Sequence, residues 1–169
     1  MDQTAWSQQE LGGYEDEDAQ RGKFLTFHLA KEDYGIEIRH VTEIIGIQKI
    51  TEVPDMPDYI KGVVNLRGKV IPVMDVRRRF NLPPRDYDPR TCIVVVNINE
   101  TTTGLVVDEV SEVVDIPALQ VEPAPRASRG NGHGYIQGMG KIGSGVKILL
   151  AVERLLFDND FNLAATAAS

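Results

Sequence analysis

Arg67 stands in the run Asn65-Leu66-Arg67-Gly68, between the apolar stretches Gly62-Val63-Val64 and Val70-Ile71-Pro72-Val73. The run reads as a hairpin-like turn between two strands. An arginine on such a turn projects a planar guanidinium from a rigid base. It suits a forked contact with a carboxylate, within the chain or on a partner. Glu43 is the expected carboxylate, because it has the opposite charge and a projecting position in the same module. Gly62 precedes a strand where a side chain would block close backbone approach. Gly62→Asp is therefore expected to abolish partner binding while the chain stays folded.

Other chemistry is weaker. Gly138-Met139-Gly140-Lys141-Ile142-Gly143 meets the spacing of a dinucleotide fingerprint. That fingerprint must follow a strand and open a helix, yet the next residues, Ser144 to Leu150, read as a strand. Bulges and a hairpin turn are the expected use of these glycines. A nucleotide binder using residues 138–145 is the competing enzyme-class reading. His28 and His40 lie either side of a predicted turn, with no third ligand at metal spacing. His133 sits in a glycine-rich stretch and is read as solvated. Cys92 opens Cys92-Ile93-Val94-Val95-Val96 and is read as a small buried hydrophobe. Arg77-Arg78-Arg79 is read as a solvated helical turn, with an anion or acidic partner as the alternative. Asp108 and Glu109 are expected at a solvated turn. No catalytic residue, cofactor or metal is expected.

The elements that must position these residues are mostly strands. Leu25, Phe27 and Leu29 alternate with polar neighbours, as do Tyr34, Ile36 and Ile38. Such alternation marks antiparallel strands with one buried face. Further strands are predicted over 62–66, 69–74, 91–98, 104–107, 110–116, 134–142 and 146–152. Pro72 must then lie at an edge or a bulge. Asp75 is placed to N-cap a short helix, and 153–161 is a second helical candidate. The segment 35–45 aligns without a gap on 104–114, Ile60-Lys61-Gly62 resembles Ile136-Gln137-Gly138, and 69–77 resembles 146–154. The chain reads as two copies of a five-stranded module joined near Leu82 to Pro89. A sheet this short closes most economically as a small barrel.

The chain has 169 residues, 18 Lys plus Arg, 25 Asp plus Glu and a formal net charge of -7. Residues 1–23 hold six acidic and two basic side chains, a net of -4, which leaves -3 for the remainder. They read as a disordered acidic leader, and 158–169 as a tail. The nearly balanced remainder lacks the continuous basic face of a nucleic-acid binder. Aromatic residues are 7%, few for a stacking platform. No membrane insertion is expected, nor a signal peptide, and a cytoplasmic location is the simplest.

The longer motifs resemble the CheW family of chemotaxis adaptors. The likeness runs from about Phe24 to Phe157. It is carried by Tyr34-Gly35-Ile36-Glu37-Ile38 leading to Val41-Thr42-Glu43-Ile44, by Ile60 to Gly68, and by Pro72-Val73-Met74-Asp75-Val76-Arg77. Residues 104–110 and Pro123-Ala124-Pro125 also match. The resemblance implies an all-β fold of two SH3-like five-stranded barrel subdomains, about 24–82 and 91–157, around a shared apolar core. Short helices and a C-terminal helical turn complete it. It implies a non-catalytic coupler between chemoreceptors and the chemotaxis histidine kinase, or a related sensory kinase pathway. Its partners would be the receptor's cytoplasmic hairpin tip and the kinase's regulatory domain, and the pseudo-symmetry within one chain leads us to expect a monomer when alone. Carried over, Val41, Glu43, Ile44, Gly62, Asn65 and Arg67 are the candidate binding residues.

Overall fold

The structure, a computed structural model, describes residues 20–124 and 133–157. The expectations for the leader, the stretch 125–132 and the tail from 158 lie outside the described residues. Eleven strands are described: β1 (Lys23–Leu29), β2 (Glu32–Glu37), β3 (Val41–Gly46), β4 (Ile60–Leu66), β5 (Lys69–Asp75), β6 (Cys92–Ile98), β7 (Thr101–Val107), β8 (Glu109–Asp115), β9 (Val121–Glu122), β10 (Ile136–Ile142) and β11 (Gly145–Leu150). The α-helices are α1 (Val76–Arg79) and α2 (Val152–Phe157). Asp75 caps α1, its side chain accepting from the N–H groups of Arg77 and Arg78, as a short N-terminal carboxylate does.

The strands form two sheets, in the orders β3-β6-β7-β5-β4 and β8-β1-β2-β11-β10-β9. Each curls towards closure. In the first barrel Thr51 bridges Val63 through N–H···O bonds of 2.8 and 2.9 Å. In the second, β9 does the same job against Met139 and Gly140 of β10. The barrels do not follow the halves of the chain. The hairpin β1–β2 joins the later strands, and β6–β7 joins the earlier ones. A cut between residues 82 and 91 therefore separates the sequence repeats but crosses both sheets.

This exchange explains the composition of β6. Ile93 and Val95 fill the first barrel, while Val94, Val96 and Ile98 face the core between the barrels. With both faces covered, the strand reads as an apolar run. Each buried aliphatic side chain there contributes about 2 kcal/mol over its exposed state. Leu25, Phe27 and Leu29 of β1 join that shared core, and Phe24 turns to a second-barrel cluster with Ile116 and Leu149. Cys92 is only half-buried, at the edge of the shared core. Burial pushes its thiol pKa up.

The repeat is real, with one adjustment. Gly35 and Gly104 occupy the same position, each beside a parallel strand, opposite Leu149 and Val73. Gly62 and Gly138 each follow a bulge. The hairpins, however, superpose Lys69 on Gly145, one residue from the expected alignment, because both have two-residue turns, Arg67-Gly68 and Gly143-Ser144. The glycine-rich fingerprint is thus a bulged strand and a turn. Pro72 lies in an interior strand, neither an edge nor a bulged residue. It is tolerated because the ladder to β7 begins one residue later, at Val73.

Candidate functional site

The β4–β5 hairpin builds the most prominent projection. Arg67 and Gly68 both have positive φ, 51° and 86°, as a two-residue turn matched to strand twist requires. The Asn65 side chain holds this turn, its Oδ1 accepting from the Gly68 N–H at 2.7 Å. Gln48 Nε2 donates to the Asn65 carbonyl at 3.2 Å, which braces the hairpin from the segment after β3.

Arg67 meets Glu43 as expected. Nη1 donates to Oε1 at 3.0 Å and Nη2 donates to Oε2. The geometry is a two-pronged fork. Hydrogen bonding by Glu43 holds the guanidinium pKa above its usual value. The partners differ in exposure, 69% for the Arg67 side chain and 13% for Glu43. Glu43 registers opposite Val95, whose side chain lies inside the barrel. The carboxylate is therefore at the barrel's apolar rim, and Arg67 covers it from solvent. An exposed pair of this kind contributes little to stability. It fixes where two charges stand. The equivalent turn of the second barrel carries Gly143 in place of Arg67, so the fold itself does not need the pair.

The other candidates fall elsewhere. Val41 and Ile44 are buried in the shared core. They present no surface to a partner, because the bulge between Val41 and Glu43 turns both inward. Gly62 is buried too. A Cβ there would lie 2.1 Å from the Thr51 carbonyl oxygen. The close approach expected at Gly62 exists, but to Thr51 of the same chain, so Gly62→Asp would disturb the barrel as well as any interface. The structure brings Glu43, Asn65 and Arg67 together and leaves Val41, Ile44 and Gly62 behind them as supports. Exposed Val70, one residue beyond the hairpin's first pair, adds apolar surface beside them.

Two readings of charged residues are corrected. Asp108 is buried, 8% exposed, and not at a solvated turn. It accepts from Arg77 Nε at 2.8 Å, Arg77 Nη2 at 2.7 Å, Arg85 Nη1 at 3.1 Å and the Ala30 N–H at 2.9 Å. Burial raises its pKa, but these bonds and the two cations outweigh that and hold it below the ordinary carboxylate value. The triple arginine is likewise no solvated turn. Arg77 is committed to Asp108, and Arg78 reaches Asp58 at 3.4 Å. Arg79 is 8% exposed, with its guanidinium 4.2 Å from the Tyr59 ring centroid and 4.7 Å from that of Tyr135. A signal for this was present. Val76, Arg79 and Phe80 share one helical face, and the other two are apolar.

His28 pairs with Asp33, which also accepts from Lys147 at 2.8 Å. The Lys147 bond, opposed by burial, and the His28 charge hold that carboxyl low. His40 stands apart in a 3-10 turn (Ile38–His40), its pKa lowered by burial and by Arg39. Among the described residues no group of three His, Cys, Asp or Glu could hold a metal, and no helix is long and apolar enough to cross a membrane. A cavity of about 290 Å³ opens between the barrels, lined by Tyr34, Phe80, Asn81, Leu82, Ile136, Ile148 and Leu150. Five of the seven are aliphatic or phenyl side chains, and Tyr34 and Asn81 are the polar members.

Comparison with known proteins gives one consistent answer. A family model described as "CheW-like domain" matches residues 23–159. The chain is 38% identical to the chemotaxis protein CheW of Klebsiella aerogenes over 146 residues, 86% of this chain and 88% of that one. It is 31% identical to CheW of Helicobacter pylori over 134 residues, 79% and 81% of the two chains. The solved structure of the scaffolding protein TtCheW from Thermoanaerobacter tengcongensis matches with a TM-score of 0.74 at 34% identity. That match covers 79% of this chain and 91% of the other.

Proposed function

Since the chain belongs to the CheW-like family, whose members are chemotaxis coupling and scaffold proteins, we propose that it is a non-catalytic cytoplasmic adaptor placing chemoreceptors and the chemotaxis histidine kinase in one assembly. The observation that carries this reading is the match along 23–159 to scaffolding relatives. The partners are the receptor's cytoplasmic hairpin tip and the kinase's regulatory domain. The chain reaches membrane receptors through protein contacts and is monomeric when alone. The surface it offers is the Arg67–Glu43 fork with Asn65 and Val70. A coupler needs affinity without chemistry, which an apolar patch with a few oriented polar groups supplies.

The test is reconstitution. Adding the chain to receptor-bearing membranes and the kinase should restore receptor control of kinase phosphorylation; no change on addition would refute the adaptor role. Within that assay Arg67→Glu places two carboxylates together at the fork. It should lower receptor-dependent activation about tenfold, since a like-charge contact at an interface is costly. Adding Glu43→Arg restores an opposite-charge pair and should recover part of the loss. Full activation by Arg67→Glu alone would remove Arg67 from the site.

A further inference from the structure

Helix α1 belongs by sequence to the strand β5 of the first barrel, yet two of its arginines hold the second. Arg77 reaches Asp108, the residue between β7 of the first barrel and β8 of the second, and Asp108 also accepts from Ala30, in the β1–β2 turn of the second barrel. Arg79 stacks on Tyr59, which precedes β4 of the first barrel, and on Tyr135, which precedes β10 of the second. Its Nε also donates to the Leu155 carbonyl of α2 at 3.1 Å. Tyr59 and Tyr135 are equivalent in the repeat. The Tyr59 carbonyl accepts from Asp75 N–H and the Tyr135 carbonyl from Ala151 N–H, each at 2.8 Å, where a helix begins. One guanidinium thus lies between matching points of the two barrels.

We propose that Arg79 is a positioning residue, fixing the placement of one barrel against the other, with Arg77 as the second grip. A guanidinium suits this role better than an apolar side chain. It is planar, stacks on rings at both faces and is directional through its N–H bonds. An apolar replacement would still fill space, and exchanging a buried ion for a hydrophobe is often close to neutral in stability. It would lose direction. Arg79 is therefore a feature of geometry more than of stability. In the adaptor reading, on which this consequence rests, a shift imposed on one barrel reaches the other only through a fixed junction.

The deciding measurement is made on the chain alone, so it stands whether or not the adaptor role does. Nitroxide labels go on Lys69→Cys and Ser144→Cys, at the exposed hairpin ends of the two barrels, in a Cys92→Ala background. Double electron–electron resonance then reads the distance between barrels. The parent should give one narrow distance distribution. Arg79→Met should lose that single narrow peak and broaden, while Arg78→Met, whose partner Asp58 is on the same barrel, should keep it. Should Arg79→Met fail to fold, Arg79→Lys keeps the charge without the plane and should broaden the distribution in the same way. An unbroadened distribution in the folded Arg79 variant, or equal broadening by Arg78→Met, overturns the proposal. In the reconstituted assay Arg79→Met should reduce receptor control of the kinase about fivefold or more, the scale of a lost coupling energy, with each partner still bound separately.

Discussion

Gly62→Ala should lower the melting temperature by about 10 °C, the scale expected when about 3–4 kcal/mol is lost from a domain of this size. Two costs add. The first is conformational. Gly62 has φ +155°, which an L-residue adopts only with strain of about 1–3 kcal/mol. The second is steric. The new methyl would lie 2.1 Å from the Thr51 carbonyl oxygen and 2.8 Å from its carbon. Backbone cannot yield as a side-chain tip does, so relieving the clash means breaking the Thr51–Val63 bridge that closes the first barrel. Gly138 supplies the internal comparison. It holds the equivalent place in the second barrel, but a Cβ there meets the Val121 Cγ1 side-chain atom at 2.7 Å and backbone only at 3.2 Å, the Glu122 carbonyl oxygen. The side-chain atom can rotate away and the carbonyl need give only a few tenths of an ångström, so Gly138→Ala should cost less, about 1–2 kcal/mol, the lower part of the range for overpacking. Calorimetry on both variants decides it. Equal, small shifts would mean that the segment carrying Thr51 moves freely and does not close the barrel.

The same glycine shows where the sequence was legible and where it was not. Its type and place announced a close backbone approach, and that approach exists. What the approach meets is a matter of tertiary structure. Thr51 lies eleven residues away in a segment without periodicity, so nothing local names it. Period-2 alternation located β1 and β2, and short apolar runs between turn residues located β4, β5, β6, β8, β10 and β11, each within a residue or two. β3 was hidden by its bulge, where Val41 and Ile44 both turn inward and the alternation breaks. The exchange of hairpins between barrels left no local trace at all. A strand pairs as well with a distant neighbour as with a near one, and the repeat is the same either way.

Charges were read less well for a related reason. The default for an aspartate at a strand end is water, and for three successive arginines a solvated face. Glu43 and Arg67 were found because both sit at projecting positions in one module. Asp108 and Arg77 were missed because they come from different modules, and only the packing of α1 against β7 brings them together. Asp108 lies directly after the buried Val106 and Val107, which is a warning that its carboxylate would not have water to itself. That warning names no partner.

Asp108 should then matter more to the fold than the projecting pair does. Asp108→Asn keeps the shape and removes the charge that faces Arg77 and Arg85. The Arg77 side chain is 13% exposed, so its cation is left with little water. Removing one partner of a buried pair costs about 3–5 kcal/mol. The partial exposure of Arg85, 41%, places the loss near the lower end. A fall in melting temperature of about 6–12 °C follows from about 3 kcal/mol. Acid distinguishes this cause from simple loss of packing. The folded state holds the Asp108 carboxyl below its ordinary value, so the folded state favours the ionised form. Its stabilisation is complete above the unfolded pKa of about 4 and is lost as pH falls through the lower, folded value. Asp33 and Glu122 have the same sign of shift and weaken parent and variant alike, while Asp88, also lowered, shares Arg85 with Asp108. The gap between parent and Asp108→Asn should therefore be constant from neutral pH to about 5 and narrow in more acidic buffer. Urea unfolding of both proteins over that range measures the gap directly. A gap unchanged in acid would show that the charge is not what binds α1 to the junction of the two barrels.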